Sequence, residues 1–255
     1  MSNKHYFLSV LCVCLFIAGK STQAAEFAVS PIKLFFDRQT RSAVVTVSNN
    51  AEQPLVVQMN LARWTQDAKA LDVYTDSEDF QFFPRIMTIP PKDRRAIRIG
   101  VRVPPPGNDE FTYRLFISEV LEQQEKSAAS TVRLAFRFAL PIFVAPTSPS
   151  PLAEIGSVVF EPGGGKNTGK TVARIGVRNM GNENFRIESV RLAPPKGEPI
   201  KESDGWYLMP GASRDHDLVL DPLDCEKHKQ LELTVKADKL TLSKVLDVPP
   251  AACRK

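Results

Sequence analysis

The sequence is poor in the residues from which most active sites and metal centres are built. Its 255 residues include only three histidines and four cysteines. Cys12 and Cys14 stand in an apolar leader. Cys225 and Cys253 have no close Cys or His neighbour at zinc spacing, so they are not read as metal ligands. His216 lies between Asp215 and Asp217, and His228 lies in "CEKHK". No Ser or Cys nucleophile in an identifiable elbow accompanies them. Neighbouring Asp side chains on a strand alternate faces and cannot all orient one imidazole. Both histidines read as exposed surface residues, and no catalytic residue is assigned. Helical periodicity is missing, apart from a trace in "SEVLEQQEK" that reads as a solvated loop. No repeat of fixed period is present. Beyond the leader, no apolar run is long enough to cross a bilayer.

Charge of one sign is lacking as well. The formal net charge is +4. Removing Lys4 and Lys20 with the leader from the 33 Lys and Arg leaves 31 against 29 Asp and Glu, a net of +2. That balance argues against nucleic acid as a partner and against strong attraction to a membrane surface.

The leader itself has a clear form. Lys4 supplies a positive start, Phe7 to Gly19 is apolar, and small residues follow at Thr22 and Ala24. This is the pattern of a cleaved secretory signal peptide over residues 1–24. In an oxidising compartment, the remaining Cys225 and Cys253 suggest one disulfide, with two free thiols as the alternative.

The rest reads as strands. "FAVSPIKLFF", "SAVVTVSNN", "LVVQMNLARW", "RRAIRIGVRV" and "TYRLFISEV" combine β-branched or aromatic residues with alternation. Proline outnumbers glycine, 20 to 13, and supplies many of the breaks between them. "APTSPSPLAEIG" reads as a stiff linker. A boundary near Pro149 then gives domains over 25–148 and 149–255, the second again rich in short strands. Regular turn signals between short strands indicate all-β sandwiches.

One motif invites a nucleotide. "GGGKNTGKT" satisfies G-x-x-x-x-G-K-[ST] through Gly164, Gly169, Lys170 and Thr171. A P-loop needs a helix directly after it to hold phosphates. The sequence that follows, "VARIGVRN", alternates like a strand, so a hairpin loop is expected and no cofactor is assigned.

The strongest feature is "STVRLAFRFALPIFVAP". Val132, Leu134, Phe136, Phe138, Leu140, Ile142 and Val144 are all apolar, at every second position. Strands usually stop near five or six residues, so this one is long. Its order after "SPIKLFF", "SAVVTVSNN", "PRIMTIPPKDRRAIRI" and "TYRLFISEV" resembles the periplasmic pilus (fimbrial) assembly chaperones, as a divergent branch. The resemblance implies two immunoglobulin-like sandwiches with a cleft between them and no enzymatic activity. It implies pilus subunits and an outer-membrane usher as partners, and the periplasm as location. It further implies that Val132, Leu134, Phe136 and Phe138 are lent to a subunit lacking a strand, by β-augmentation. Leu140, Ile142 and Val144 are expected in the chain's own core. Four inserted side chains offer about 6–12 kcal/mol gross, offset by association costs of ~4–15 kcal/mol. By the same resemblance Lys33 anchors the subunit's terminal carboxylate, with Arg98 as a helper. The family's second lysine falls on Pro141, and an arginine near the strand end falls on Ala145. Exposed strand edges also leave a self-capping dimer open. From the residues alone, a secreted two-sandwich adhesive or binding module stands as the alternative.

Overall fold

The computed structural model describes residues 27–67, 69–102, 107–121 and 134–253. The leader and Val132 lie outside the described residues. The first half forms β1 (Phe27–Ser30), β2 (Leu34–Phe36), β3 (Ser42–Asn49), β4 (Leu55–Gln66), β5 (Asp72–Asp76), β6 (Phe80–Phe83), β7 (Ile86–Ile89), β8 (Arg94–Val101), β9 (Phe111–Glu119) and β10 (Arg137–Val144). These make two facing sheets, one ordered β1-β3-β8-β6 and the other β2-β10-β9-β4-β5, with β7 also paired to β4. Alternation explains the layering: Val45 and Val47 of β3 and Ile97 and Ile99 of β8 turn inward and are fully buried, while their neighbours face out.

The second half forms β11 (Ala153–Pro162), β12 (Thr171–Asn179), β13 (Phe185–Ala193), β14 (Lys201–Asp204), β15 (Tyr207–Leu208), β16 (Ser213–Leu220), β17 (Gln230–Ala237) and β18 (Thr241–Asp247). One sheet is β11-β12-β16 and the other β14-β13-β17-β18, with β15 paired to β13. The expected all-β architecture of two sandwiches is therefore what the chain adopts, and no α-helix occurs among the described residues. Cys225 and Cys253 form a disulfide, with Cα atoms 5.4 Å apart and a sequence separation of 28. It ties the C-terminal end to the loop after β16, where Leu223 also bridges to Cys253.

His216 departs from its expectation. It is buried, because it shares the inward parity of Leu218 and Leu220 on β16, while Asp215 and Asp217 face solvent. Burial, followed by the charge of Arg214, holds its pKa below the usual imidazole value. His228 is half-buried.

A hidden likeness links the two sandwiches. Asn49 ends β3 and Asn179 ends β12, and both are buried. The Asn49 side chain donates to the carbonyls of Gln53, Ile89 and Pro90 and accepts from the Ala51 amide. Asn179 donates to the carbonyls of Glu183 and Leu208 and accepts from the Gly181 amide. In each case an amide side chain satisfies the backbone of the following loop and pins it to a distant strand. Replacing either by Ala strands buried carbonyls, at a cost of about 1–3 kcal/mol. Asn49→Ala and Asn179→Ala are expected to lower stability by that amount in urea unfolding. Reduction of the disulfide is expected to cost about 3–4 kcal/mol on the loop-closure model, read as a shift of the same transition on adding dithiothreitol.

Candidate functional site

The long alternating segment has unequal partners along its length. On one side β10 pairs antiparallel with β9 over its whole extent, from Arg137 opposite Ser118 to Val144 opposite Phe111. On the other, β2 pairs parallel with Ile142, Phe143 and Val144 alone. From Leu134 to Pro141 that second edge has no strand beside it among the described residues.

The hydrogen bonds show which groups face the open edge. The Glu119 amide donates to the Phe136 carbonyl at 2.9 Å, so the even residues are turned to β9. The Ala145 amide donates to the Phe36 carbonyl at 2.9 Å, so the odd residues are turned the other way. Arg137 and Ala139 thus direct their main-chain groups outward at the open edge. Pro141 is odd and has no N–H, so it costs the ladder with β9 nothing. The Ala139 carbonyl is taken by the Arg114 side chain, whose Nη1 donates to it at 2.9 Å.

Side chains follow the same gradient. Leu140, Ile142 and Val144 are in the core, as expected for this half. Phe138 is half-buried, Phe136 is 43 % exposed and Leu134 73 % exposed. The outer half is not wholly without a partner. Phe27 of β1 meets the rings of Phe136 and Phe138 at 6.3 and 6.2 Å. The backbone of Phe136 is also tied to Glu119, whose Oε2 accepts the Phe136 amide at 3.2 Å. On the opposite face Arg137 lies over the Phe116 ring at 3.8 Å, while Ala135 and Ala139 are small and exposed.

Lys33 immediately precedes the β2–β10 ladder, level with Pro141, and is half-buried. It forms no ion pair among the described residues. A strand filling the open edge would run into β2 at this point. Arg98 is placed elsewhere. It stands exposed on β8, between Val44 and Phe83, on the outward face of the other sheet. The structure therefore does not bring Arg98 to Lys33. The charge nearest Pro141 across the sheet is Arg114, its partner on β9. That guanidinium is buried and lies 3.8 Å from the centre of the Trp64 ring. Sequence reasoning missed it, because an Arg inside "TYRLFISEV" reads as solvent-facing; its apolar partner Pro141, with Phe143 next on the same face of β10, was the available signal.

The two sandwiches meet on this face. Trp64, Phe143, Tyr207 and Met209 form a shared apolar cluster. Tyr207 stands edge-on to Trp64 at 5.3 Å. Gln66 donates to the Tyr207 carbonyl and accepts from the Met209 amide, at 2.9 and 3.0 Å. Ala70, in the β4–β5 turn, is fully buried within the core of the second sandwich, and Arg214 hydrogen-bonds its carbonyl. Glu110 completes the junction: one carboxylate oxygen accepts both the backbone and side-chain N–H groups of Asn184, at 2.8 and 2.5 Å.

The glycine motif makes no phosphate cradle. Gly165–Asn167 is a single 3-10 turn, and the Gly163 amide donates to the Lys170 carbonyl at 2.8 Å, closing a hairpin. β12 starts at Thr171, where a P-loop requires a helix. Lys170 pairs with Asp221 at 3.2 Å.

Residues 26–150 match the family model described as "Pili and flagellar-assembly chaperone, PapD N-terminal domain". Among solved structures, the chain is similar to one in the CsuC–CsuE chaperone–tip adhesion subunit pre-assembly complex from archaic chaperone-usher Csu pili of Acinetobacter baumannii. That match has 16 % identity and a TM-score of 0.59, over 86 % of this chain and 98 % of that one. The Salmonella enterica SafA pilin in complex with the SafB chaperone gives 18 % and 0.54, over 89 % and 99 %. The Pseudomonas aeruginosa CupB2 chaperone gives 16 % and 0.52, over 87 % and 100 %. At these identities the likeness is one of fold. No curated protein matches the chain.

The junction carries a pH prediction. Burial outweighs the Asn184 hydrogen bonds and raises the Glu110 pKa above its ordinary value of 4.5. An acid raised in the fold stabilises most below its unfolded pKa, and that contribution is lost as pH rises through the folded value. Glu110→Gln is expected to flatten this decline above pH 4.5, seen as a difference between the two stability–pH profiles.

Proposed function

The N-terminal sandwich belongs to the pili and flagellar-assembly chaperone family, and from that membership we propose that the chain is a periplasmic chaperone of pilus subunits. It binds a subunit that lacks a strand, keeps it from aggregating and delivers it to an outer-membrane usher. It works without nucleotide or cofactor. The signal peptide over residues 1–24 and the division of labour at 148/149 are parts of the same reading.

The observation that carries the proposal is the open edge of β10 beside an exposed apolar row. The edge-facing main-chain groups of Arg137 and the N–H of Ala139, whose carbonyl already accepts from Arg114, supply hydrogen bonds to an added strand, and alternate side chains fill the gap in that partner's core. Leu134 and Phe136 carry most of this, since they have the most surface still to bury; each offers about 1.5–3 kcal/mol. Phe138 already packs on Phe27 and gains less. Val132 extends the same row. An exposed edge this apolar invites aggregation, and a resident guest strand removes that hazard.

The guest's end meets Lys33. A carboxylate terminus fits there because Lys33 offers a point charge. Arg98 is too misplaced on the other sheet to share this task, so Lys33 acts without it.

Phe136→Asp is expected to abolish co-purification of the subunit while cooperative unfolding is retained; unchanged co-purification would sink the donor-strand assignment. Lys33→Ala is expected to weaken subunit binding by roughly ten- to a hundredfold in titration, the size of one charge-assisted hydrogen bond. Equal affinity would remove Lys33 from the site.

A further inference from the structure

Three residues stand side by side where the open edge of β10 ends. Arg114 of β9 pairs with Pro141 of β10, and Lys33 is level with Pro141 on the other side, one residue before the parallel β2–β10 ladder. They share a face. Leu34 turns into the core, so Lys33 turns away from it; Phe35 follows the same parity and stacks on Phe143 at 5.5 Å. Phe143 in turn packs with Trp64, over whose ring Arg114 lies. A cation thus flanks Pro141 on either side.

Arg114 lacks a counter-charge. It is 6 % exposed, yet no Asp or Glu pairs with it among the described residues, and its buried Nε–H has no hydrogen-bond partner there. The Trp64 ring at 3.8 Å compensates in part. Burying a charge without an anion is costly all the same. The Ala139 carbonyl points to the open edge and accepts from Arg114 Nη1, so the guanidinium crosses β10 from the β9 side to that edge. There it stands beside Pro141, which has no N–H to offer. A guest strand parallel to β10, as β2 is, draws a donor from every second residue of its neighbour. At Pro141 the guanidinium is placed to give one.

We propose that Arg114, reaching over from β9, is the second cation for the guest's terminal carboxylate, which it holds jointly with Lys33 above Pro141. It supplies the donor that the proline lacks. The inference rests on the chaperone reading above. Strand direction favours a chain end over an acidic side chain: a guest parallel to β10 runs toward β2, and β2 leaves it no room past this row. A carboxylate here neutralises the buried guanidinium through a charge-assisted hydrogen bond. Arg114 is thus a positioning residue that fixes where the last guest residue stops.

The test uses the full chain and two synthetic peptides with the C-terminal sequence of the subunit that co-purifies with it, one ending in a carboxylate and one in a carboxamide. The unsubstituted chain is expected to favour the carboxylate peptide. Arg114→Met is expected to lower that affinity by about tenfold or more, the size of one charge-assisted hydrogen bond, with little change for the carboxamide. Arg114→Lys should recover part of the loss. Cooperative unfolding checks that the variants fold, and the unsubstituted chain supplies a readout that needs none of them: its Arg114 Nε–H resonance shifts with the carboxylate peptide and not with the carboxamide. Carboxylate preference that survives Arg114→Met, or a resonance that stays in place, would overturn the inference and leave the chaperone reading intact. Equal binding of both peptides by the unsubstituted chain would remove Arg114 and Lys33 together from a carboxylate site. Binding of neither peptide, or no co-purifying subunit, would overturn the chaperone reading as well.

Discussion

A β-strand has two edges, and among the described residues β10 has strand partners for one edge and only part of the other. This imbalance governs the first sandwich. β9 pairs with β10 along its full length, which sets the direction of its outward groups. β2 covers three residues and stops. In the proposed function this is a prepared half-ladder: the strand is already ordered by folding, and a subunit segment has only its own freedom to lose. Core residues at one end of the strand and exposed ones at the other belong to a single continuous alternation, which anchors the exposed end through the buried one.

The second sandwich bears on this through the junction. Trp64, Phe143 and Tyr207 pack together, and Phe143 itself is a β10 residue. The strand that offers its edge is thus also the strand against which the second sandwich leans. The Gln66 amide, matched to Tyr207 and Met209, adds direction to that apolar contact, and Glu110 with Asn184 adds a second fixed point. Two separated polar ties and one apolar cluster thus join the sandwiches beside β10.

Much of this was legible in the sequence, where alternation with period two carries the information. The strand architecture, the buried half of β10 and the hairpin at Gly163–Lys170 all follow from local pattern. His216 was misread because its charged neighbours were given more weight than its parity with Leu218 and Leu220. Asn49 and Asn179 were illegible for another reason: asparagine near a turn reads as exposed, and their acceptors at Ile89 and Leu208 lie 40 and 29 residues away. Arg98 was assigned by family position, and sheet membership, which depends on long-range pairing, places it on the far side. The contacts of Gln66 with Met209, 143 residues apart, had no local signature at all.

Ala70 has a consequence for the order of events in synthesis. It is made with the first sandwich but sits in the core of the second. A chain threading outward from its N-terminus completes the β4–β5 turn long before β16 and β17 exist. The second core is therefore incomplete without a residue of the first sandwich, and the Arg214 bond to the Ala70 carbonyl couples the two folding units at that point.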